Sequence, residues 1–154
     1  MAFFKSFKYA FFGVIHCITT QRNFRFHTFA ALSAMILAYK YELNQTEKLV
    51  LMFTIVFVLI SEMFNTSIEA IVDLKTKEIH PFAKIAKDVA AGAVLISALA
   101  ASATGLVLFY NDGVIWHIVA DYIKNPFFWL YIAAGLIYIS GIIFIKKDVN
   151  TNGK

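Results

Sequence analysis

The chain has 154 residues, 60% of them hydrophobic and only 16% charged, with a formal net charge of +4. A soluble domain of this length carries about a quarter charged residues, so the composition excludes an ordinary water-soluble fold. The positive charge clusters at the ends of apolar runs and forms no basic stripe for nucleic acid, and the single Cys17 excludes an intrachain disulfide or a cysteine-rich metal site.

Residues 3–20 place Phe4, Phe7, Phe11, Val14 or Ile15, and Ile18 at helical spacing, with Lys5, Lys8, His16 and Thr19 elsewhere. The pattern predicts an amphipathic helix lying on the membrane surface. A first span follows over 28–39, with Phe24, Phe26 and Tyr41 as interfacial anchors, Arg25 snorkelling outward and His27 at the headgroups. Residues 41–47 form a polar connection in which Thr46 is the expected cap of the next helix. That helix continues from 49 through 73 and crosses the membrane over 49–68 if Glu62 is tolerated.

Residues 73–80 break the apolar pattern, and Pro81 favours a new helix there. The run 89–110 is uncharged and long enough for a hydrocarbon core of about 30 Å at about 1.5 Å per residue. Its Ala93, Ser97, Ala101 and Gly105 recur every fourth residue, a stripe that lets a neighbouring helix approach closely. After a connection over 111–126, with Trp116 and Tyr122 at the interface, 127–145 reads as a fourth span and 146–154 as a polar tail. The expected fold is all-α, a polytopic membrane protein with an N-terminal amphipathic surface helix and four transmembrane helices. Eleven of the fourteen Lys and Arg residues fall in the N-terminal stretch, the 73–88 loop and the tail, which places both termini and that loop in the cytoplasm.

The polar residues inside this pattern point to chemistry. Glu62, Asn65, Glu69 and Asp73 are separated by three, four and four residues, so a helix carries them as one stripe. Carboxylates below headgroup level are functional-site candidates by default. Across the loop, Lys87 and Asp88 stand against the start of an apolar run, with Glu78, His80 and Lys84 nearby. Together they offer carboxylate for a divalent cation and ammonium for phosphate oxygens. Intramembrane pairing between helices is the competing explanation, and a surface ion pair alone accounts for Lys84 and Asp88. No glycine-rich nucleotide loop is present.

The motif Glu62-x-x-Asn65-x-x-x-Glu69-Ala70-x-Val72-Asp73, then Glu78-x-His80, then Ala86-Lys87-Asp88-x-Ala90-Ala91-Gly92 resembles the prokaryotic diacylglycerol kinase family. Arg22-Asn23-Phe24-Arg25-x-His27 resembles its Gram-positive branch, whose members include undecaprenol kinases. The resemblance covers residues 1–110 as a kinase-like membrane core and leaves 111–154 as an external connection, an extra transmembrane helix and a cytoplasmic tail. It implies a bacterial plasma-membrane homotrimer with active sites between subunits, using ATP and Mg²⁺ to phosphorylate a membrane lipid alcohol, undecaprenol first and diacylglycerol second. It further implies Glu62 as general base, Asn65 as an orienting residue and Lys87 at the transferring phosphoryl group. Glu69 and Gln21 would serve the metal, and Lys5, Asp73, Glu78, His80, Lys87 and Asp88 the nucleotide.

The chain departs from the family at Gln21, where many members carry a glutamate that ligates metal, and at Ala2 and Phe12, where relatives often carry Arg or Lys. An amide oxygen can ligate a hard cation without neutralising it. The alternative is therefore a catalytically impaired trimeric scaffold or nucleotide sensor of the same fold. An ion-coupled carrier using Glu62 and Glu69 fits less well, because the polar groups gather at one mouth.

Overall fold

The computed structural model describes residues 2–75, 80–110, 119–120 and 122–141. Among them the regular elements are helices: α1 (Ala2–Thr20), α2 (Arg22–Lys40), α3 (Gln45–Lys75), α4 (Pro81–Phe109) and α5 (Pro126–Ser140). Two of these, α3 with 31 residues and α4 with 29, are long and apolar enough to cross a membrane. Trp116 and Glu78 lie outside the described residues.

The helix ends follow from local chemistry. The α3 start is closed by a reciprocal pair, Asn44 Oδ1 accepting from Glu47 N at 3.0 Å and Glu47 Oε2 accepting from Asn44 N at 2.8 Å. This is a capping box. It replaces the expected cap at Thr46, because Asn44 has an acid three residues on to reach back. The α4 start has Pro81 in its first turn, and His80 Nδ1 accepts from Phe82 N at 3.3 Å. α5 closes at Ser140, short of the 127–145 run, because Gly141 adopts the left-handed conformation at φ 72°.

α3 and α4 form the principal pair, α2 packs on α3 and on α5, and α1 touches α2 and α3. At the ends joined by residues 41–44, Ala38, Leu43 and Leu51 form an apolar cluster with Tyr41, Leu108 and Phe109 around it. The expected stripe on α4 is only partly used. Ser97 is buried, Ala101 and Gly105 line a groove, and a Cβ on Gly105 would meet open space. Almost the whole apolar side of α1 is uncovered, with Phe3, Phe4, Phe7 and Phe11 exposed and Cys17 buried. Such a face suits a bilayer interface.

Arg25 corrects the sequence reading. It does not snorkel outward but is buried at 6% exposure, between two helix ends. Its Nη1 donates to the carbonyls of Ile18 and Thr19 and its Nε to that of Ile139, each at 3.2 Å. The last carbonyls of a helix lack intrahelical partners and carry the negative end of its dipole, an attraction of ~0.3–2 kcal/mol per end for a cation. Gly141 leaves room for this guanidinium, since a Cβ there would come within 2.6 Å of Nη2. Along the same seam Thr28 and Tyr138 share a hydrogen bond at 3.0 Å, Ser33 and Tyr131 another at 2.8 Å, and Phe29 stacks on Tyr131. Hydroxyl bridges and a small residue at the contact are the usual means of joining helices in lipid. Gly135 supplies the second, because a Cβ there would strike the Phe29 ring at 2.2 Å.

Candidate active site

The predicted stripe on α3 exists as one face and is graded in exposure. Glu62 is 2% exposed and Asn65 9%, Glu69 is half-buried and Asp73 is exposed. Glu62 lies seven residues from Glu69, about 10 Å along the axis. The face therefore runs from a dry interior to an open mouth.

Each member meets a different partner. Asn65 Nδ2 donates to Glu69 Oε1 at 3.0 Å, one helical turn away. That bond turns the amide so that Asn65 Oδ1 is buried without a hydrogen bond, and Glu62 Oε1 is in the same condition. Glu62 Oε1 does lie 3.3 Å from His27 Nε2 on α2, close enough for charge attraction but off the line of a hydrogen bond. Two orphaned oxygens in a membrane helix are costly unless a ligand completes them.

At the mouth, Lys87 of α4 pairs with Asp73 of α3, joining the two motifs across the loop. Lys84 and Asp88 pair at 2.7 Å on the outside of α4, both exposed. That charge holds the Lys84 ammonium above its ordinary value, through its hydrogen bond to Asp88 and their attraction. His80, expected beside the nucleotide, spends one ring nitrogen on capping α4. Lys5 is exposed near the start of α1. Gln21 stands just before α2, its amide donating to Thr20 Oγ1 at 3.1 Å.

The donor set suits a hard cation in one place. No three His, Cys, Asp or Glu side chains converge among the described residues. Magnesium, however, keeps several waters and takes only one or two carboxylates beside phosphate oxygens. Glu69, half-buried toward the mouth, supplies one such carboxylate, while Asn65 turns its Nδ2 to it and keeps Oδ1 in the interior.

The neighbour of Glu62 that the sequence did not reveal is His27. Read as an interfacial ring, it is instead turned inward, its side chain 17% exposed against Glu62. The available signal was the one that exposed Glu62, an ionisable group inside an apolar helix.

The family described as prokaryotic diacylglycerol kinase matches residues 8–109, from α1 to the end of α4. The chain belongs to that family. Over 101 residues it is 46% identical to a diacylglycerol kinase of Synechocystis sp., covering 65% of this chain and 58% of the relative. Over 107 residues it is 42% identical to an undecaprenol kinase of Bacillus subtilis, covering 70% of this chain and 87% of the relative. A diacylglycerol kinase of Escherichia coli is 29% identical over 103 residues, 67% of this chain and 84% of that one. No solved structure matches the chain. The family is one of lipid kinases, and α5 lies beyond the matched range.

Proposed function

We propose that this membrane protein transfers the γ-phosphoryl group of ATP to the hydroxyl of a membrane lipid alcohol, undecaprenol in the first place and diacylglycerol in the second. The observation that carries the reading is the graded α3 face, with an unpartnered Glu62 oxygen about 10 Å deeper than Glu69. ATP approaches from water at the mouth, and the lipid hydroxyl arrives from the bilayer. Two relatives of similar identity carry the two acceptor names, which leaves the order of acceptors to the Arg22–His27 motif.

In the reaction, Glu62 takes the proton of the acceptor hydroxyl while its oxygen bonds to the γ-phosphorus. The bond to the bridging oxygen breaks and ADP leaves with the electron pair. Lys87, released from Asp73, meets the charge spread over the transferring group. Asn65 holds the geometry between base and mouth. Asp73, Glu78, His80, Asp88 and Lys5 serve the nucleotide. Glu69, with Gln21 as the further ligand, would hold magnesium, which when bound would neutralise the phosphates. The working form is a homotrimer with sites between subunits, four spans, and both termini on the cytoplasmic side.

The test is the purified full chain in lipid vesicles with labelled ATP and a panel of lipid alcohols. Labelled lipid phosphate from undecaprenol or diacylglycerol is the expected result. Nucleotide binding without turnover on any alcohol overturns it in favour of the scaffold or sensor. Gln21→Glu separates these readings further. It is expected to lower the magnesium needed for half-maximal turnover, since a carboxylate adds charge beside the cation. Turnover in the variant alone favours the impaired form.

A further inference from the structure

His27 is brought to Glu62 by α2, a helix that carries none of the stripe. Its Nε2 lies 3.3 Å from Glu62 Oε1, and its ring also lines an apolar groove of about 300 Å³ between α2, α3 and α4. Ala31, Ala34, Val58, Ala98 and Gly105 form walls of that groove, whereas Glu62 does not reach its lining. The imidazole therefore touches both the apolar space and the buried carboxylate. The other polar groups near Glu62 are Asn65 and Thr66 on its own helix and Cys17 of α1. Asn65 spends its donor on Glu69, and the Thr66 hydroxyl donates to the Glu62 carbonyl.

We propose that His27 is a positioning residue for the phosphoryl transfer, its Nε2 fixing Glu62 Oε1 so that the carboxylate is held turned toward the acceptor hydroxyl. The inference rests on the lipid-kinase reading. Its chemistry is general, since a base works when a third group orients it and satisfies its charge. A bare carboxylate in a dry helix interface would turn toward any donor or take up a proton. The 3.3 Å approach is loose, as such contacts often are before substrate is bound.

The experiment compares the full chain in vesicles with His27→Leu, His27→Gln, Glu62→Gln and the double variant of His27→Leu with Glu62→Gln. His27→Leu is expected to lower kcat by about 10–100-fold while KM for ATP is unchanged. His27→Gln, whose amide can donate from nearly the Nε2 position, is expected to recover much of the loss. In the Glu62→Gln background, adding His27→Leu is expected to cost almost nothing, because the residue acts through the base. Should His27→Leu fail to insert, His27→Asn replaces it, its amide being too short to reach Oε1.

A second measurement does not need activity. Dicyclohexylcarbodiimide is an apolar reagent that modifies carboxyl groups lying free in apolar surroundings, and mass spectrometry of the peptide locates the adduct. Labelling of Glu62 at neutral pH is expected to rise in His27→Leu and to rise less in His27→Gln. Equal labelling in all three proteins overturns the proposal, as does a further kcat loss on adding His27→Leu to Glu62→Gln that is as large as the loss His27→Leu causes in the parent chain. A parent chain that phosphorylates no lipid alcohol defeats the kinase reading instead, while the labelling still reports whether His27 holds Glu62.

Discussion

The two ends of the α3–α4 pair are built on opposite principles. At one end Ala38, Leu43 and Leu51 close a small apolar cluster, and the connection is pinned by the Asn44–Glu47 capping box. At the other end the same two helices bury Glu62 and Asn65 with orphaned oxygens and then splay charge outward to Asp73 and Lys87. The first arrangement is satisfied within itself. The second leaves buried acceptors without a hydrogen bond, and conflicts of that kind are expected where a protein works. The sharpest way to break the comparison is to remove the unsatisfied charge. Glu62→Gln keeps the shape of the side chain and is expected to lower turnover by ~10²–10⁴-fold, the usual loss for a general base, with insertion and helix content intact. Near-normal turnover, read from labelled lipid phosphate, would make the buried end merely structural.

The mirror experiment damages the satisfied end. Leu43 is buried in the cluster and its backbone N–H is bonded to Ala38. Leu43→Ala should weaken the fold by an amount at the low end of the ~2–5 kcal/mol seen for such truncations in soluble cores. Lipid is as apolar as leucine, so only the packing term is lost. Unfolding in mixed micelles would measure it, and turnover per folded molecule should not change. A fall in turnover comparable to that of Glu62→Gln would mean that the two ends are coupled.

How much was legible in the sequence follows the same division. The stripe and the start of α4 at Pro81 are set by spacing along one chain segment, and both were readable, whereas the pairing of Lys87 with Asp73 is seen only in the structure. The roles of Arg25 and His27 were not readable either. Each depends on which helix lies opposite, and α2 meets α1, α3 and α5 at once. A period of 3.6 tells which side chains share a face and says nothing of what that face meets. The same holds for α5, whose hold on α2 through Gly135, Tyr131 and Tyr138 could not be inferred from an apolar run. Thr46 failed for a smaller reason, since the acid three residues after Asn44 was available and was passed over.

The charges at the open end can be sorted by a smaller effect. Lys84 and Asp88 are mostly exposed, and pairs of that kind contribute next to nothing to stability. Lys84→Ala should therefore leave both stability and turnover unchanged. Lys87→Met, three residues further on, should remove turnover, because the released ammonium is needed at the phosphoryl group. Equal effects from the two would show that the mouth works as a diffuse positive field with no specific cation.

The smallest expected effect is at Cys17, which touches the buried end from α1. Its thiol is pushed above the ordinary value, first by burial and then by the charge of Glu62, while a hydrogen bond with Thr66 works in the other direction. The sign of the consequence is fixed. A thiol whose folded value is raised keeps its contribution to stability below the unfolded value and loses it as pH rises through the folded one. The fold should thus weaken in alkali, above the ordinary thiol range, and Cys17 should alkylate more slowly than an unfolded thiol at pH 8. Glu62→Gln removes the second cause and leaves the first. The midpoint of the alkylation profile should then fall without reaching the ordinary value. An unmoved midpoint would place the Glu62 side chain out of reach of the thiol and would separate α1 from the deep end of the α3 face.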